Sequence, residues 1–363
     1  MELKGKHIAV ICDYKLLEDR VGGMDYFFWA FNGVCKAQGV KIDWFFPNTS
    51  THGDYHEFNM FSAENTSLEQ AVITRLKTVK LQYTHIITHF VELCTSFFAD
   101  IKRLQKKGRI IAVDHNPRPL NGYPFKKRIK KRLKGMLYGK HIDRFIGVSE
   151  YTSHAILKDF GGFLKHKVET IYNGVLIDDI IPKKEARRKV NPKFIVVSHL
   201  RYSKGIQDLI DAVHLLPEHL KTNLKIDVYG DGPYKSTLLD LVKSHKLELV
   251  FNFKGNSSSL KNVYQKYDYL IQPTHMECFS LSILESLAAN VPVITTPVGG
   301  NTEVVFNDEN GFIVKAQDVV ELQKKTVALI TGKKSITINT RTQIEKQFSI
   351  NKMVDKHLAL LSL

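Results

Sequence analysis

Between Tyr267 and Glu303 the chain reads YDYLIQPTHMECFSLSILESLAANVPVITTPVGGNTE, and this stretch leaves little freedom in how the rest can fold. Tyr269-Leu270-Ile271 is a short apolar run closed by Pro273, the pattern of a strand buried on both faces of a parallel sheet. A turn follows from Thr274 to Cys278. Leu281, Leu284, Leu287 and Ala288 then fall on one face of a helix that Asn290 ends. Val291-Pro292-Val293-Ile294 gives the next strand, and Gly299-Gly300 opens a further helix. Strand, helix and strand in this order predict an α/β fold.

Two carboxylates mark one edge of this unit. Glu277 lies in the turn and Glu285 eight residues on, inside the helix. Both fall near the carboxyl end of the first strand, where ligands bind in open α/β sheets. Backbone N–H groups at the helix start, from Cys278 through Phe279 and Ser280 to Leu281, lack intrahelical acceptors and suit an anion such as phosphate.

The 363 residues give room for two domains with separate cores. With 43% hydrophobic and 25% charged residues the composition is that of a soluble globular protein and excludes a disordered chain. The apolar run Ile8–Cys12 is too short for a signal peptide, and no stretch approaches the ~18 apolar residues of a membrane span. Cys12, Cys35, Cys94 and Cys278 are scattered without metal-ligand or CxxC spacing, so a cytoplasmic location is expected. The net charge of +15 calls for an anionic partner.

Along the chain, His7–Cys12 reads as a first buried strand, followed by a loop with Gly22-Gly23 and a helix from Met24 to Gln38. A glycine loop at a helix start lets backbone N–H groups approach a phosphate. Asp25 carries only a helix-start preference for an acid. Val40–Pro47 is a second strand, Asn48–Ser67 a polar loop segment, and Tyr83–Phe90 and Arg109–His115 further strands. Pro117 disfavours helix at Asn116, so the chain leaves the sheet as a loop just after His115.

Phe125–Tyr138 concentrates the positive charge. Lys126, Lys127, Arg128, Lys130, Lys131, Arg132 and Lys134 are seven basic residues out of nine. Phe125, Ile129, Leu133, Met136 and Leu137 recur beside them at helical spacing. Either the stripe packs on the sheet with a solvated basic face, or the helix docks on anionic lipid. RNA binding has little support, because no RNP motif, KH loop or zinc-finger spacing appears.

Farther on, Ile177–Pro192 reads as an interdomain linker, and a second alternation of strands and helices starts at Phe194. Lys204 sits beside Gly205 at a strand end, placed to meet a phosphate as a compact point charge.

Several of these segments together resemble retaining glycosyltransferase family 4, also called glycosyl transferases group 1. They are Glu277 and Glu285, seven residues between them and a small-residue helix following, "VPVI" and Gly299-Gly300, Asn310-Gly311-Phe312, Gly230-Asp231-Gly232-Pro233, Asn173-Gly174-Val175 and Lys204-Gly205. The likeness covers residues 140–315 well and 1–140 loosely. It implies a GT-B fold, in which two Rossmann-like doubly wound domains face a central cleft and the C-terminal helix crosses back to the first domain. The expected division is an acceptor domain over 1–175, a linker over 176–192, a nucleotide-sugar domain over 193–345 and the crossing helix over 346–363.

The resemblance also implies roles. Gly22 and Gly23 would face the donor's diphosphate or the acceptor, and His115 would reach the transferred sugar. Lys204 would bind the diphosphate, beside His199, where the family usually has Arg, or Arg201. Phe253 and Lys254 would lie near the nucleotide base. Glu277 would orient donor-sugar hydroxyls, and Glu285 would accept from ribose hydroxyls. Relatives often act on lipid-linked acceptors at the inner membrane face, which would give the basic segment Lys126–Lys134 a peripheral membrane or acceptor role. The expected activity is metal-independent transfer of a hexose-type sugar from a donor such as a UDP- or GDP-sugar, with no cofactor and no nucleic acid. No Asp-x-Asp occurs in the chain, in keeping with that expectation. A GT-B epimerase, a sugar phosphorylase and a catalytically silent binding protein stay open.

Overall fold

The computed structural model describes residues 3–362, apart from 65, 80, 186, 188, 189, 258 and 259. The chain divides into two units, residues 1–173 with 350–363 and residues 174–349.

Unit 1 is built on seven parallel strands: β1 His7–Cys12, β2 Lys41–Phe46, β3 Asn59–Ser62, β4 His85–His89, β5 Arg109–Asp114, β6 Arg144–Gly147 and β7 Val168–Thr170. They lie in the order β3-β2-β1-β4-β5-β6-β7. Ile8, Val10, Ile86, Ile110 and Phe145 are fully buried, as strands covered by helices on both faces require. The chain leaves β1 to one side of the sheet and returns at β4 on the other, so the switch point lies between these two strands.

The sequence reading of 48–67 as loop is corrected here. A short helical turn, Gly53–Glu57, and strand β3 occupy part of it. β3 is an edge strand with Asn59 exposed and the other three residues half-buried, and it is held by Phe61 packing against Phe45 of β2 at 5.3 Å. So short an edge leaves almost no periodic pattern to read.

Unit 2 has six parallel strands: β8 Phe194–Val197, β9 Ile226–Tyr229, β10 Phe251–Gly255, β11 Tyr269–Gln272, β12 Val293–Thr295 and β13 Gly311–Ile313. Their order is β10-β9-β8-β11-β12-β13, which puts the switch point between β8 and β11. Segment 174–192 clusters with this unit. Arg187 ties it down, donating to the Asn290 carbonyl at 2.9 Å, the Asn290 side chain at 2.6 Å and the Ile336 carbonyl at 2.9 Å.

The last helix, Ile350–Leu360, belongs to unit 1, as the crossing helix was expected to. Its His357 ring lies 4.8 Å from Phe27 on the helix Gly23–Ala37 and 5.9 Å from His89 at the end of β4. His89 Nδ1 is in turn 3.1 Å from His115 Nε2. Three imidazoles thus share one buried place, and all are held neutral. Burial lowers His115 to about 3 and His357 to about 4, and it pushes His89 well down.

The helix Phe125–Tyr138 forms as its spacing predicts, but it faces outward. Its one buried residue is Gly135, where a Cβ would stand 2.0 Å from the Phe160 carbonyl oxygen. That glycine lets the helix lie against the helix Glu150–Phe160 with the apolar stripe left in solvent, Phe125 by 73% and Met136 by 61%. Among the described residues, no helix is long and apolar enough to cross a membrane.

The neutral histidines set an acid limit on stability. In the unfolded chain each binds a proton near pH 6.5, and in the folded chain only well below that. Stability is therefore at its full value above about pH 6.5 and falls as pH drops toward 4. His85, lowered by burial to about 4, adds to the same slope. In urea titrations across this range, His357→Phe is expected to reduce the slope by about 1.4 kcal/mol per pH unit, one proton's worth. An unchanged slope would refute neutral burial of His357.

Candidate functional site

The loops leaving β8 and β11 meet at the switch point of unit 2, and main-chain contacts join them. The His275 N–H donates to the Ser203 carbonyl at 2.8 Å, and Thr274 Oγ1 to the same carbonyl at 3.0 Å. Gly205 has φ +69°, and a Cβ there would lie 1.9 Å from the Pro273 carbonyl oxygen. Only glycine permits both the left-handed turn and this approach. His275 Nε2 adds a 2.6 Å bond to Asp208 on the helix Ile206–His214.

The two neighbouring loops brace this pair. Gly299, at φ +64°, lies where a Cβ would stand 2.3 Å from the Glu277 carbonyl oxygen, and the Gly300 N–H donates to the Cys278 carbonyl at 2.8 Å. On the other side Gly230 and Gly232 close against the backbone of Ser198 and Leu200. The glycines of both sequence motifs thus act through close backbone contact with the loops that carry the charged residues.

Lys204 and Glu277 meet as a result. Lys204 Nζ lies 2.7 Å from Glu277 Oε2, with about a fifth of each side chain accessible. Glu277 Oε1 also accepts from the Cys278 N–H at 3.0 Å. The helix that follows, Leu281–Ala288, has Ser280 at its N-cap with no side-chain capping bond, so its first N–H groups lack intrahelical acceptors three residues beyond Glu277. Cys278, Phe279 and Ser280 are buried, Phe279 stacking on Phe348 at 5.5 Å, while Leu281 is half-buried. A cation, a carboxylate and a helix start at one sheet edge can hold an anionic group next to a hydroxyl-bearing one.

Glu285, one helical turn into Leu281–Ala288, is half-buried and accepts from Tyr264 Oη at 2.9 Å. Burial raises its carboxyl to about 7, against the lowering effect of Tyr264 and Lys261. His199 and Arg201 lie in the loop after β8, His199 half-buried and Arg201 exposed. His199 is close enough to help lower Asp231, whose carboxylate is stabilised first by the Gly232 N–H and then by Lys235. Phe253 leans on the core of unit 2 and Lys254 is exposed, both on edge strand β10.

Unit 1 holds the remaining predicted residues. Gly22 caps the helix Gly23–Ala37 after β1, and its N–H donates to Asp25 at 2.9 Å. Sequence reasoning undervalued Asp25. It is fully buried and also accepts from Tyr14 Oη at 2.8 Å and Tyr55 Oη at 2.7 Å, fixing the glycine loop. Those tyrosines are 11 and 30 residues away, so no local pattern announces them. His115, beyond β5, stacks on Phe90 at 4.1 Å, and being neutral it can offer a hydrogen bond but no charge. Of the basic run, Lys131 pairs with Asp159 at 3.2 Å and Lys134 with Glu92 at 2.7 Å, while Lys126, Lys127, Arg128, Lys130 and Arg132 are exposed.

Residues 177–347 match the family model described as glycosyl transferases group 1. The chain is 25% identical over 219 residues to N-acetyl-alpha-D-glucosaminyl L-malate synthase of Bacillus anthracis, covering 56% of each chain. It is 27% identical over 188 residues to the UDP-N-acetylglucosamine–peptide N-acetylglucosaminyltransferase GtfA subunit of Streptococcus pneumoniae, covering 51% of this chain and 36% of that one. The chain therefore spans about half or less of the length of these curated relatives. Among solved structures, Anabaena Alr3699/HepE in complex with UDP matches with a TM-score of 0.72 at 16% identity, covering 98% of this chain and 99% of that one. Sucrose-phosphate synthase from Thermosynechococcus elongatus matches with a TM-score of 0.74 at 17% identity, covering 98% of both. The fold is GT-B, with two Rossmann-like parallel sheets.

Because Gly205 tolerates neither a Cβ nor a change of φ, Gly205→Ala is expected to lower stability by roughly 1–3 kcal/mol in urea denaturation. An unaltered midpoint would show that the β8 and β11 loops separate at no cost.

Proposed function

We propose that this chain is a retaining hexosyltransferase of family 4. It would take a hexose-type sugar from a nucleotide-diphosphate donor, such as a UDP- or GDP-sugar, and pass it to a glycan or lipid-linked acceptor in bacterial surface polysaccharide synthesis. The observation that carries the reading is the meeting of Lys204 and Glu277 beside an uncapped helix start at the switch point of unit 2. Anabaena HepE, of the same fold, binds UDP, which supports a nucleotide donor.

In this reading the sugar–phosphate bond breaks as negative charge gathers on the departing diphosphate. The Lys204 ammonium and the N–H groups at the start of Leu281–Ala288 stabilise that charge without a metal. With Lys204 turned to the phosphate, the Glu277 carboxylate is released to orient hydroxyls of the donor sugar. The acceptor hydroxyl attacks from the face the diphosphate leaves, and a phosphate oxygen takes its proton. Glu285 accepts from ribose hydroxyls, and since burial raises its carboxyl to about 7, each such bond would favour the charged, accepting form. His199 or Arg201 supplies the second diphosphate contact, and Phe253 and Lys254 flank the base.

The exposed apolar stripe and basic residues of Phe125–Tyr138 support peripheral association with an anionic membrane, with a cytoplasmic protein docking at the inner face.

Two experiments follow. Glu277→Ala is expected to remove turnover by about 100-fold or more while UDP binding persists, and Glu285→Ala to weaken UDP binding mainly, read by calorimetry beside a transfer assay. Near-normal turnover in Glu277→Ala would refute its role. Nucleotide binding without product in the parent protein would point to a silent GT-B protein. Replacing Lys126, Lys127, Lys130 and Arg132 together by Gln is expected to release the protein from anionic liposomes, each residue contributing roughly 1 kcal/mol. Unchanged co-sedimentation would mean that this face is merely solvated.

A further inference from the structure

A cavity of about 380 Å³ opens in unit 1 between the loop that follows β5 and the helix Glu150–Phe160. Small-molecule sites run from roughly 300 to 1,000 Å³, so it is large enough to hold a ligand head. None of the residues expected from the family pattern lines it except Arg128.

The deep wall of the cavity is electrically settled. Arg118 is buried and its guanidinium donates to Asp159 at 3.0 Å, to Asp114 at 2.7 Å and to the Asn116 carbonyl. Lys131 adds a second cation on Asp159 at 3.2 Å. Two carboxylates therefore face two cations, and this wall contributes no net charge.

The rim is different. Arg128, His154 and Lys158 line the mouth and are exposed. Among the described residues, no hydrogen bond or ion pair engages their side chains. Two fixed positive charges and an imidazole thus converge over a neutral floor, which favours a compact anion with several acceptor oxygens. The Tyr123 ring, held under the ammonium groups of Lys127 at 4.5 Å and Lys131 at 4.7 Å, and the Tyr151 ring complete the lining. Beside this mouth the surface turns apolar: Leu120, Phe125 and Ile129 are all exposed. A cationic mouth next to an unpartnered apolar strip matches a molecule with an anionic head and a hydrocarbon tail.

We propose that this cavity binds the phosphate head of an amphiphilic lipid, with the start of its acyl chain lying along Leu120, Phe125 and Ile129. The inference deepens the membrane-docking half of the function proposed above and does not depend on sugar transfer. It turns a diffuse electrostatic attraction into a specific site for one lipid molecule.

The test is calorimetric titration of the full chain with dihexanoyl phosphatidic acid, glycerol 3-phosphate and inorganic phosphate. Two double variants, H154Q/K158Q and K106Q/K107Q, are run beside it. All four residues are exposed, so folding is expected to survive, and melting temperatures check this. Dihexanoyl phosphatidic acid is expected to bind the parent protein and to bind H154Q/K158Q about tenfold more weakly or worse, as when a charge-assisted contact is lost. K106Q/K107Q, off the cavity and off the basic helix, is expected to keep the affinity. Equal losses in both variants would overturn the proposal in favour of general surface charge. Inorganic phosphate binding as tightly as the lipid would overturn the tail contact, and no lipid binding by the parent protein would overturn the whole. UDP titration in parallel reports on unit 2 alone, so failure of the transferase reading and failure of this one are told apart.

Discussion

The contact between the Gly205 backbone and the Pro273 carbonyl is the constraint on which the candidate site depends. It brings the loop after β8 within main-chain bonding distance of the loop after β11, through the His275 N–H and the Ser203 carbonyl. Lys204 and Glu277 are 73 residues apart in sequence and 2.7 Å apart in space because of it. A side chain on Gly205, or a wider turn at Gly299, would shift the backbone that carries one partner and leave the other charge half-buried and alone. An unpaired charge in that position costs far more than the pair itself contributes.

Pairing Lys204 with Glu277 also keeps either charge from standing alone at this sheet edge. Each group offsets the other's charge while both remain partly accessible. In the function proposed above, a diphosphate binding Lys204 would replace Glu277 as its counter-ion and free the carboxylate to face the group the diphosphate carries. On that reading the arrangement would link occupation of the anion site to readiness of the carboxylate. Neither residue achieves this alone.

Positive charge in this protein is similarly divided by its surroundings. Seven basic residues in nine look equivalent in sequence, yet Lys131 and Lys134 are bound into ion pairs with Asp159 and Glu92 while their neighbours remain in solvent. The apolar positions of the same helix stay exposed because it meets the helix Glu150–Phe160 through Gly135 and the Lys131–Asp159 pair rather than through its apolar stripe. A helical pattern shows that one face is apolar, and tertiary contacts decide whether that face is covered.

Most of the architecture was legible locally. The runs His7–Cys12, Phe194–Val197 and Tyr269–Gln272 are buried strands because continuous apolar residues need cover on both faces, and this holds wherever they sit in the chain. Edge strand β3 escaped because a half-exposed segment of four residues has no distinctive period. Among functional candidates, the spacing of Glu277 and Glu285 and the Lys204-Gly205 pair could be read directly. The Asp25 hub, the His275–Asp208 bond and the cluster of His89, His115 and His357 could not, since their partners come from distant segments. Sequence alone determined most of the segments that become strands and helices, because that choice rests largely on short-range periodicity and backbone sterics. Only the tertiary structure decided which charges meet, which histidines are dry and which apolar face is left in water, because those outcomes depend on neighbours that the chain brings together only when it folds.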